Sequence, residues 1–419
     1  MQVTRNSTKF AFIMITSLFF MWGFVHNLDP ILIPHLKKSF SLSTLQSSLV
    51  DSAVFIAYFV MALPAGFIMK KYGYKTGIIM GLSLFAIGSF LFIPAANTQR
   101  YFFFLTALFI IACGLTILET AANPYASLLG DPSTSTQRLN FAQSFNGLAA
   151  TMAPIIGARL ILADGYSDEA LSKMDASARQ LALASEAATV KTPYFILGCL
   201  IVLIAIVFAI IKLPSIKEES ENNTGKSILH TLRHKHLLGA VIAQFFYVGA
   251  QVCVFSFFIL FAVKAAGIDK IKAADYLGWG CGMAFMVGRF VGTFIMRYVA
   301  PPKLLALYSL ICISLCFMAI NTHGMAPVYA VIGIAFFMSI MFPTIFSLGI
   351  KELGSDTELG SSLIIMSIVG GAILPPLLGY ISDVTNNIQL GYLVPLACFI
   401  FVFWYGWKGH IVKEVASFK

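Results

Sequence analysis

The sequence predicts an all-α membrane protein of twelve transmembrane helices, arranged as two pseudo-symmetric six-helix bundles. Three observations carry that prediction: an apolar composition, apolar runs long enough to span a bilayer, and a set of glycine and proline motifs that returns in the second half. Of 419 residues, 58% are hydrophobic and 11% charged, and the mean hydropathy is +0.84. Soluble domains do not show that combination. Crossing roughly 30 Å of hydrocarbon at 1.5 Å per residue takes about 20 apolar residues, and such runs recur along the whole chain.

The twelve runs are Phe10 to Ile33, Leu45 to Met69, Thr76 to Ala96, Tyr101 to Ser127, Leu139 to Leu162, Thr192 to Leu213, Leu237 to Val263, Ala273 to Met296, Lys303 to Ile320, Ala326 to Ile350, Gly360 to Ile381 and Leu390 to Trp407. The first continues well past the apolar core of a signal peptide and no small-residue cleavage site follows, so it is expected to stay as a helix. The seven cysteines sit singly in these runs, apart from Cys312 and Cys316, and none forms a Cys-x-x-Cys. No disulfide framework and no metal site are expected. The net charge of +9 follows from topology: with both termini cytoplasmic, Arg5, Lys9, Lys70, Lys71, Lys75, Arg138, Lys212, Lys217, Lys226, Arg233, Lys235, Arg297, Lys303, Lys351, Lys408, Lys413 and Lys419 all fall on one side. These anchor the chain in the membrane. No soluble module for nucleic acid is present.

Residues 214–236, rich in Lys, Glu, Asn and Ser, read as a cytoplasmic linker between an N-terminal bundle (1–213) and a C-terminal bundle (237–419). His230, His234 and His236 lie in this linker and read as solvated, mixed-charge sequence rather than metal ligands. Between Ala163 and Lys191 a Ser/Ala/Asp/Glu composition predicts a short surface helix. The repeat shows in the punctuation. Gly66 before Lys70-Lys71 returns as Gly292 before Arg297, Pro124 before Ser127-Leu128 as Pro343 before Ser347-Leu348, and Ala153-Pro154-Ile155-Ile156-Gly157 as Pro375-Pro376-Leu377-Leu378-Gly379. The offsets are 226, 219 and 222 residues. Two such halves joined by a polar linker resemble the plan of the major facilitator superfamily, whose halves are parallel repeats flanking the substrate site. The Gly66 to Lys75 loop resembles that superfamily's loop between helices two and three, departing from it with Lys70 where an acidic residue is usual.

Polar residues inside the runs mark the candidate site. Glu119 is the one charge between Arg100 and Asp131. An ionised carboxylate in the bilayer core is costly, so it is expected to pair, face a wet cavity or titrate; the competing reading is a permanently protonated Glu bonded to a neighbouring helix. Thr116, Glu119, Thr120 and Asn123 form one stripe by their spacing of three and four. The fifth run supplies Asn140, Gln143, Asn146 and Gly147, and the seventh Gln244, Tyr247 and Gln251. In the first run His26 and Asn27 precede Asp29, with Pro30 and Pro34 weakening the backbone ladder. Amides and hydroxyls both donate and accept, which suits a polyhydroxylated ligand, while Phe145, Phe245, Phe246 and Trp279 could cover the apolar face of a sugar ring. Each amide has the alternative of bonding an adjacent helix, for about 0.6 kcal/mol. Arg289 is read as a gating or interface residue, and Lys71 and Arg297 as basic anchors of the two matched loops. Asp51, near the outer end of the second run, is read as a surface or helix N-terminal charge. Phosphate-loop, nucleophile-elbow and zinc-protease patterns are absent, which disfavours an enzyme.

The motifs Asn27-Leu28, Ile31-Leu32-Ile33-Pro34, Pro64-Ala65-Gly66, Leu118-Glu119-Thr120-Ala121-Ala122-Asn123-Pro124, Arg138-Leu139-Asn140, Ala142-Gln143-Ser144-Phe145-Asn146, Tyr247-Val248-Gly249-Ala250-Gln251 and Pro343 through Lys351 are similar to the fucose/galactose/glucose proton symporter family of that superfamily. The resemblance covers nearly the whole chain. It implies uptake of a monosaccharide with an inward proton, carboxylates on helices one and four at the central site, no cofactor beyond the proton, a monomer in the bilayer and a bacterial inner-membrane location. Glu119 matches the helix-four position. On helix one, Asp29 stands one residue before the family's acidic position, which Pro30 occupies, and His26 replaces an amide. Sodium-coupled or uncoupled sugar transport, or drug export, on the same fold is the alternative within transporters. A membrane sugar sensor would need a signalling domain, for which the sequence outside the runs leaves little room.

Overall fold

The computed structural model describes residues 5–28, 32, 35–36, 39–40, 49–161, 173–211, 213 and 228–412. Asp29, Pro30, Pro34 and most of the expected linker, 214–227, lie outside the described residues.

Among the described residues the chain is helical and makes twelve passes. The first is α1, Arg5–His26. The helical segment Leu49–Thr98, of 50 residues, follows; at 1.5 Å per residue a single helix of that size would be about 75 Å long, far beyond one crossing. Gly73 divides it, at φ 81° and ψ 165°. A side chain there would be strained, and glycine lets the chain reverse. The two arms are α2 (49–72) and α3 (74–98). Next come α4, Tyr101–Leu128, and α5, Ser135–Ile161, joined by a tight turn that Asp131 caps through the amide of Ser133 at 2.8 Å. Lys191–Ile210 is α6. The surface helix expected before it is present as Ala176–Ala188, with Asp175 accepting from the Ala178 amide.

The second half is more interrupted. Lys235–Ser256 is α7, extended after Phe257 by Phe258–Ala266. Lys270–Asp275, a π turn at Tyr276–Gly282 and Met283–Ile295 together make α8. Pro301–Asn321 is α9, and α10 is Ala326–Met338 with Met341–Gly349. Thr357–Met366 and Gly370–Thr385 form α11 around a short 3-10 turn, and Leu393–Trp404 with Tyr405–Gly409 forms α12. Length and hydropathy alone pick out eight spans. The other four are explained by chemistry: Ala53–Thr98 holds two passes, α1 is short in its apolar part, α5 carries amides, and α8 is broken by its π turn.

Packing repeats with the helices. In the first half α1 packs on α5, α3 on α4, and α3 on α6 through Phe90 and Gly198. In the second half the equivalent pairs, α7 with α11, α9 with α10, and α9 with α12, pack likewise. Large apolar side chains such as Phe102, Ile196, Leu203 and Ile210 point outward, the inverse of a water-soluble surface. The halves meet where α2 and α4 touch α11, and where α5 touches α8 and α10.

Candidate functional site

Glu119 sits on the most buried stretch of α4; from Ile111 to Ser127 every other side chain is buried. Its Oε1 accepts a hydrogen bond from the Tyr58 hydroxyl of α2 at 3.1 Å. Its Oε2 is buried and has no partner. A carboxyl group held by one neutral hydroxyl in an apolar helix is poised to be neutral or charged according to what reaches the second oxygen.

One turn away, a proline fixes how α4 meets the other half. Pro124 has no amide hydrogen, so the carbonyl of Thr120, four residues earlier, loses its helical donor. Ser361 of α11 supplies one, its hydroxyl donating to Thr120 O at 3.0 Å. The repeat of this proline, Pro343 in α10, likewise leaves the Ser339 carbonyl free. Arg289 of α8 donates to it through Nε at 3.0 Å, and through Nη1 to the Gln143 carbonyl of α5 at 2.6 Å. The guanidinium is 5% exposed and lies 4.6 Å from the Phe285 ring. Arg289 therefore ties α5 of one half to α8 and α10 of the other.

Further hydrogen bonds extend this seam. Asn140 Nδ2 donates to the Thr344 hydroxyl at 3.1 Å, and the hydroxyls of Thr136 and Ser347 meet at 2.9 Å. Gly66 of α2 lies so close to α11 that a Cβ would collide with the Ser362 hydroxyl. These contacts all lie toward the end of the bundle that carries Lys70, Lys71, Arg138, Arg297 and Lys351.

The amides fall into two groups. In the first half Gln143 Nε2 donates to Asn123 Oδ1 at 3.1 Å, leaving Asn123 Nδ2 buried without an acceptor. Asn146 lies against α1 at Gly23, where a Cβ would come within 2.6 Å of its Nδ2. Asn27 folds back to the Gly23 carbonyl at 2.6 Å, closing α1, and His26 at the same end is exposed. In α7, Gln244 is fully buried with neither end of its amide partnered, Tyr247 is fully buried edge-on to Phe342, and Gln251 is half-buried.

A model of the Major Facilitator Superfamily matches residues 11–357. The chain belongs to the major facilitator superfamily. Within it, the chain is 41% identical over 400 residues to the L-fucose-proton symporter of Escherichia coli (strain K12), covering 94% of this chain and 91% of that protein. It is 42% identical over 408 residues to the glucose/galactose transporter of Brucella abortus biovar 1 (strain 9-941), covering 97% and 95%. The crystal structure of the superfamily transporter FucP in the outward conformation superposes with a TM-score of 0.90 at 40% identity, over 96% of this chain and 99% of that one.

As a major facilitator, the protein is a transporter, not an enzyme, and the expected two-bundle, twelve-helix plan holds. The structure links Asn123, Gln143 and Arg289 across α4, α5 and α8, with Glu119 four residues before Asn123 on α4 and bonded to Tyr58 of α2. Lys71 and Arg297 do not join it: both are exposed, lying over Tyr72 at 5.1 Å and Phe294 at 5.5 Å. Of the aromatics expected to face a sugar, Phe246 stacks on Phe401 of α12 at 4.1 Å, and Phe145 packs edge-on to Phe141 and Phe290. Sequence reading missed Tyr58 and Ser361. A signal for Ser361 was available, since each in-helix proline predicts an orphan carbonyl four residues back.

Proposed function

We propose that this major facilitator imports a monosaccharide, a hexose, 6-deoxyhexose or amino sugar, together with a proton by alternating access. Glu119 carries the coupling proton. The observation that supports this most is the half-satisfied carboxyl of Glu119, bonded only to Tyr58 and set one residue from the Thr120 carbonyl that Ser361 holds across the halves. Proton occupancy and the inter-half contact thus meet in one turn of α4. The basic end is cytoplasmic by the distribution of Lys and Arg, so a seam closed there leaves the site open outward, in keeping with the outward conformation of the similar FucP structure.

In this mechanism a proton from outside neutralises Glu119, which removes the cost of an ion in an apolar helix. The unsatisfied amides of Asn123 and Gln244, with Asn27, Gln143, Asn146, Tyr247, Gln251 and His26, bind the sugar hydroxyls. The N-terminal bundle (1–213) then rocks against the C-terminal bundle (237–419), the seam opens on the cytoplasmic side, and loss of the proton resets the carrier. Asp29 serves as the second acidic group; Asp29→Asn should change sugar binding or its pH dependence.

The test is a panel of monosaccharides added to lightly buffered, de-energised cells expressing the protein. Transported sugars should raise the external pH, and non-competing sugars should not. Uptake that proceeds without alkalinisation, or only with sodium, contradicts proton coupling.

A further inference from the structure

Away from the transport pathway, the last residues before α7 meet the base of α11. His230 lies in the short helix Ile228–Thr231, His234 is the residue before α7, and Asp356 ends the 3-10 turn Gly354–Asp356 that leads into α11. His230 Nδ1 is 3.2 Å and His234 Nε2 is 3.4 Å from the same oxygen, Asp356 Oδ2. The three ligand atoms lie within 4.8 Å of one another.

Asp356 is unusual in what it does not do. It occupies the N-cap position of α11, where an aspartate ordinarily accepts a hydrogen bond from an amide two or three residues on. Here the side chain caps nothing. It is 1% exposed, and its Oδ1 is buried without a partner. A carboxylate so buried and turned away from its own helix, toward two imidazoles, is stabilised best by a cation that completes the group.

We propose that His230, His234 and Asp356 form a three-ligand site for a divalent transition cation of the zinc type, with solvent in the fourth position. A tetrahedral zinc ion with bonds of about 2.0–2.1 Å sets neighbouring ligand atoms about 3.4 Å apart, close to the two imidazole–carboxylate separations of 3.2 and 3.4 Å. Two imidazoles and one carboxylate suit zinc or cobalt and disfavour magnesium and calcium, which take oxygen ligands. The His230 side chain is 37% exposed and that of His234 16%, which gives the ion a route from solvent. His236 buttresses the site: its Nε2 lies 2.9 Å from the Lys351 carbonyl and its ring 5.9 Å from that of His234, so the start of α7 is held against the α10–α11 loop. The bound ion would pin the end of the inter-bundle linker to α11, the helix whose Ser361 reaches α4.

The experiment uses the full-length protein in detergent, purified without a polyhistidine tag. It is titrated with zinc chloride against a chromogenic indicator and with cobalt chloride by visible absorption. The expected result is one tight zinc per chain and the intense visible bands of four-coordinate cobalt, both unaffected by excess magnesium. The affinity should fall at least tenfold in His234→Gln and in Asp356→Asn. Equal zinc uptake by the wild type and by a His230→Gln/His234→Gln variant would overturn the site. So would a wild-type protein that gives no four-coordinate cobalt spectrum, a measurement that needs no variant to fold; His–carboxylate ion pairs alone would then account for the cluster.

Discussion

At the scale of single residues, the decisive pair is a proline and a serine on different halves. Pro124 deprives the Thr120 carbonyl of its helical donor, and Ser361 replaces it. Ser361→Ala should therefore leave a buried carbonyl unsatisfied, at about 1–3 kcal/mol. That penalty falls on the state closed at the basic end. The change should raise alkylation of a cysteine placed at Ser135, beside Ser347, by roughly five- to hundredfold. In a Pro124→Ala background the restored amide hydrogen takes over, and the same Ser361→Ala change should be nearly silent. Additive effects in that cycle would show that Ser361 acts otherwise. Glu119 and the amide stripes were legible in the sequence because a charge or a three-and-four spacing stands out against an apolar background. Tyr58 was not, since a tyrosine in a mixed apolar run carries no mark of the carboxylate it will face 61 positions away.

At the scale of helices, close approach and crossing contacts set which end of the molecule is shut. Gly66 allows α2 to lie against α11 at Ser362 and the Glu358 carbonyl. Gly66→Val should wedge these helices apart at a cost of about 1–3 kcal/mol in the closed arrangement. The expected outcome is weaker sugar binding from the side opposite the basic end, with the protein still monodisperse; unchanged affinity would mean the contact does not govern the opening. Arg289 spans three helices with two charge-assisted bonds, each worth about 1.5–3 kcal/mol. Arg289→Met should cut sugar affinity from that side about 10- to 100-fold, and Arg289→Lys should restore little, because one ammonium cannot reproduce the planar fork. Equal binding in Arg289→Met would remove it from the gate. Helix positions were readable from the apolar runs and the matched glycines and prolines. The reversal between α2 and α3 at Gly73 falls between the second and third apolar runs, as expected; the π turn in α8 was not readable, because it depends on backbone geometry that the apolar pattern does not encode.

At the scale of the whole molecule, two repeated halves touch through α2, α4 and α5 on one side and α8, α10 and α11 on the other. The matched prolines make this arrangement switchable: each frees a carbonyl that a side chain must satisfy, and two of those bonds cross the seam or lead to one that does. A contact built from a few hydrogen bonds and small residues can open without unpacking either bundle. The duplication was legible from offsets of 219 to 226 residues, whereas the closed end became apparent only when Asn140 met Thr344 and Thr136 met Ser347. In the proposed mechanism the proton on Glu119 drives this switch. Membrane vesicles carrying the Glu119→Gln variant test it most directly, by comparing accumulation of a transported sugar under a proton gradient with exchange of labelled for unlabelled sugar at equilibrium. Exchange should continue while accumulation is lost; a variant that still concentrates sugar against its gradient would contradict proton coupling at Glu119.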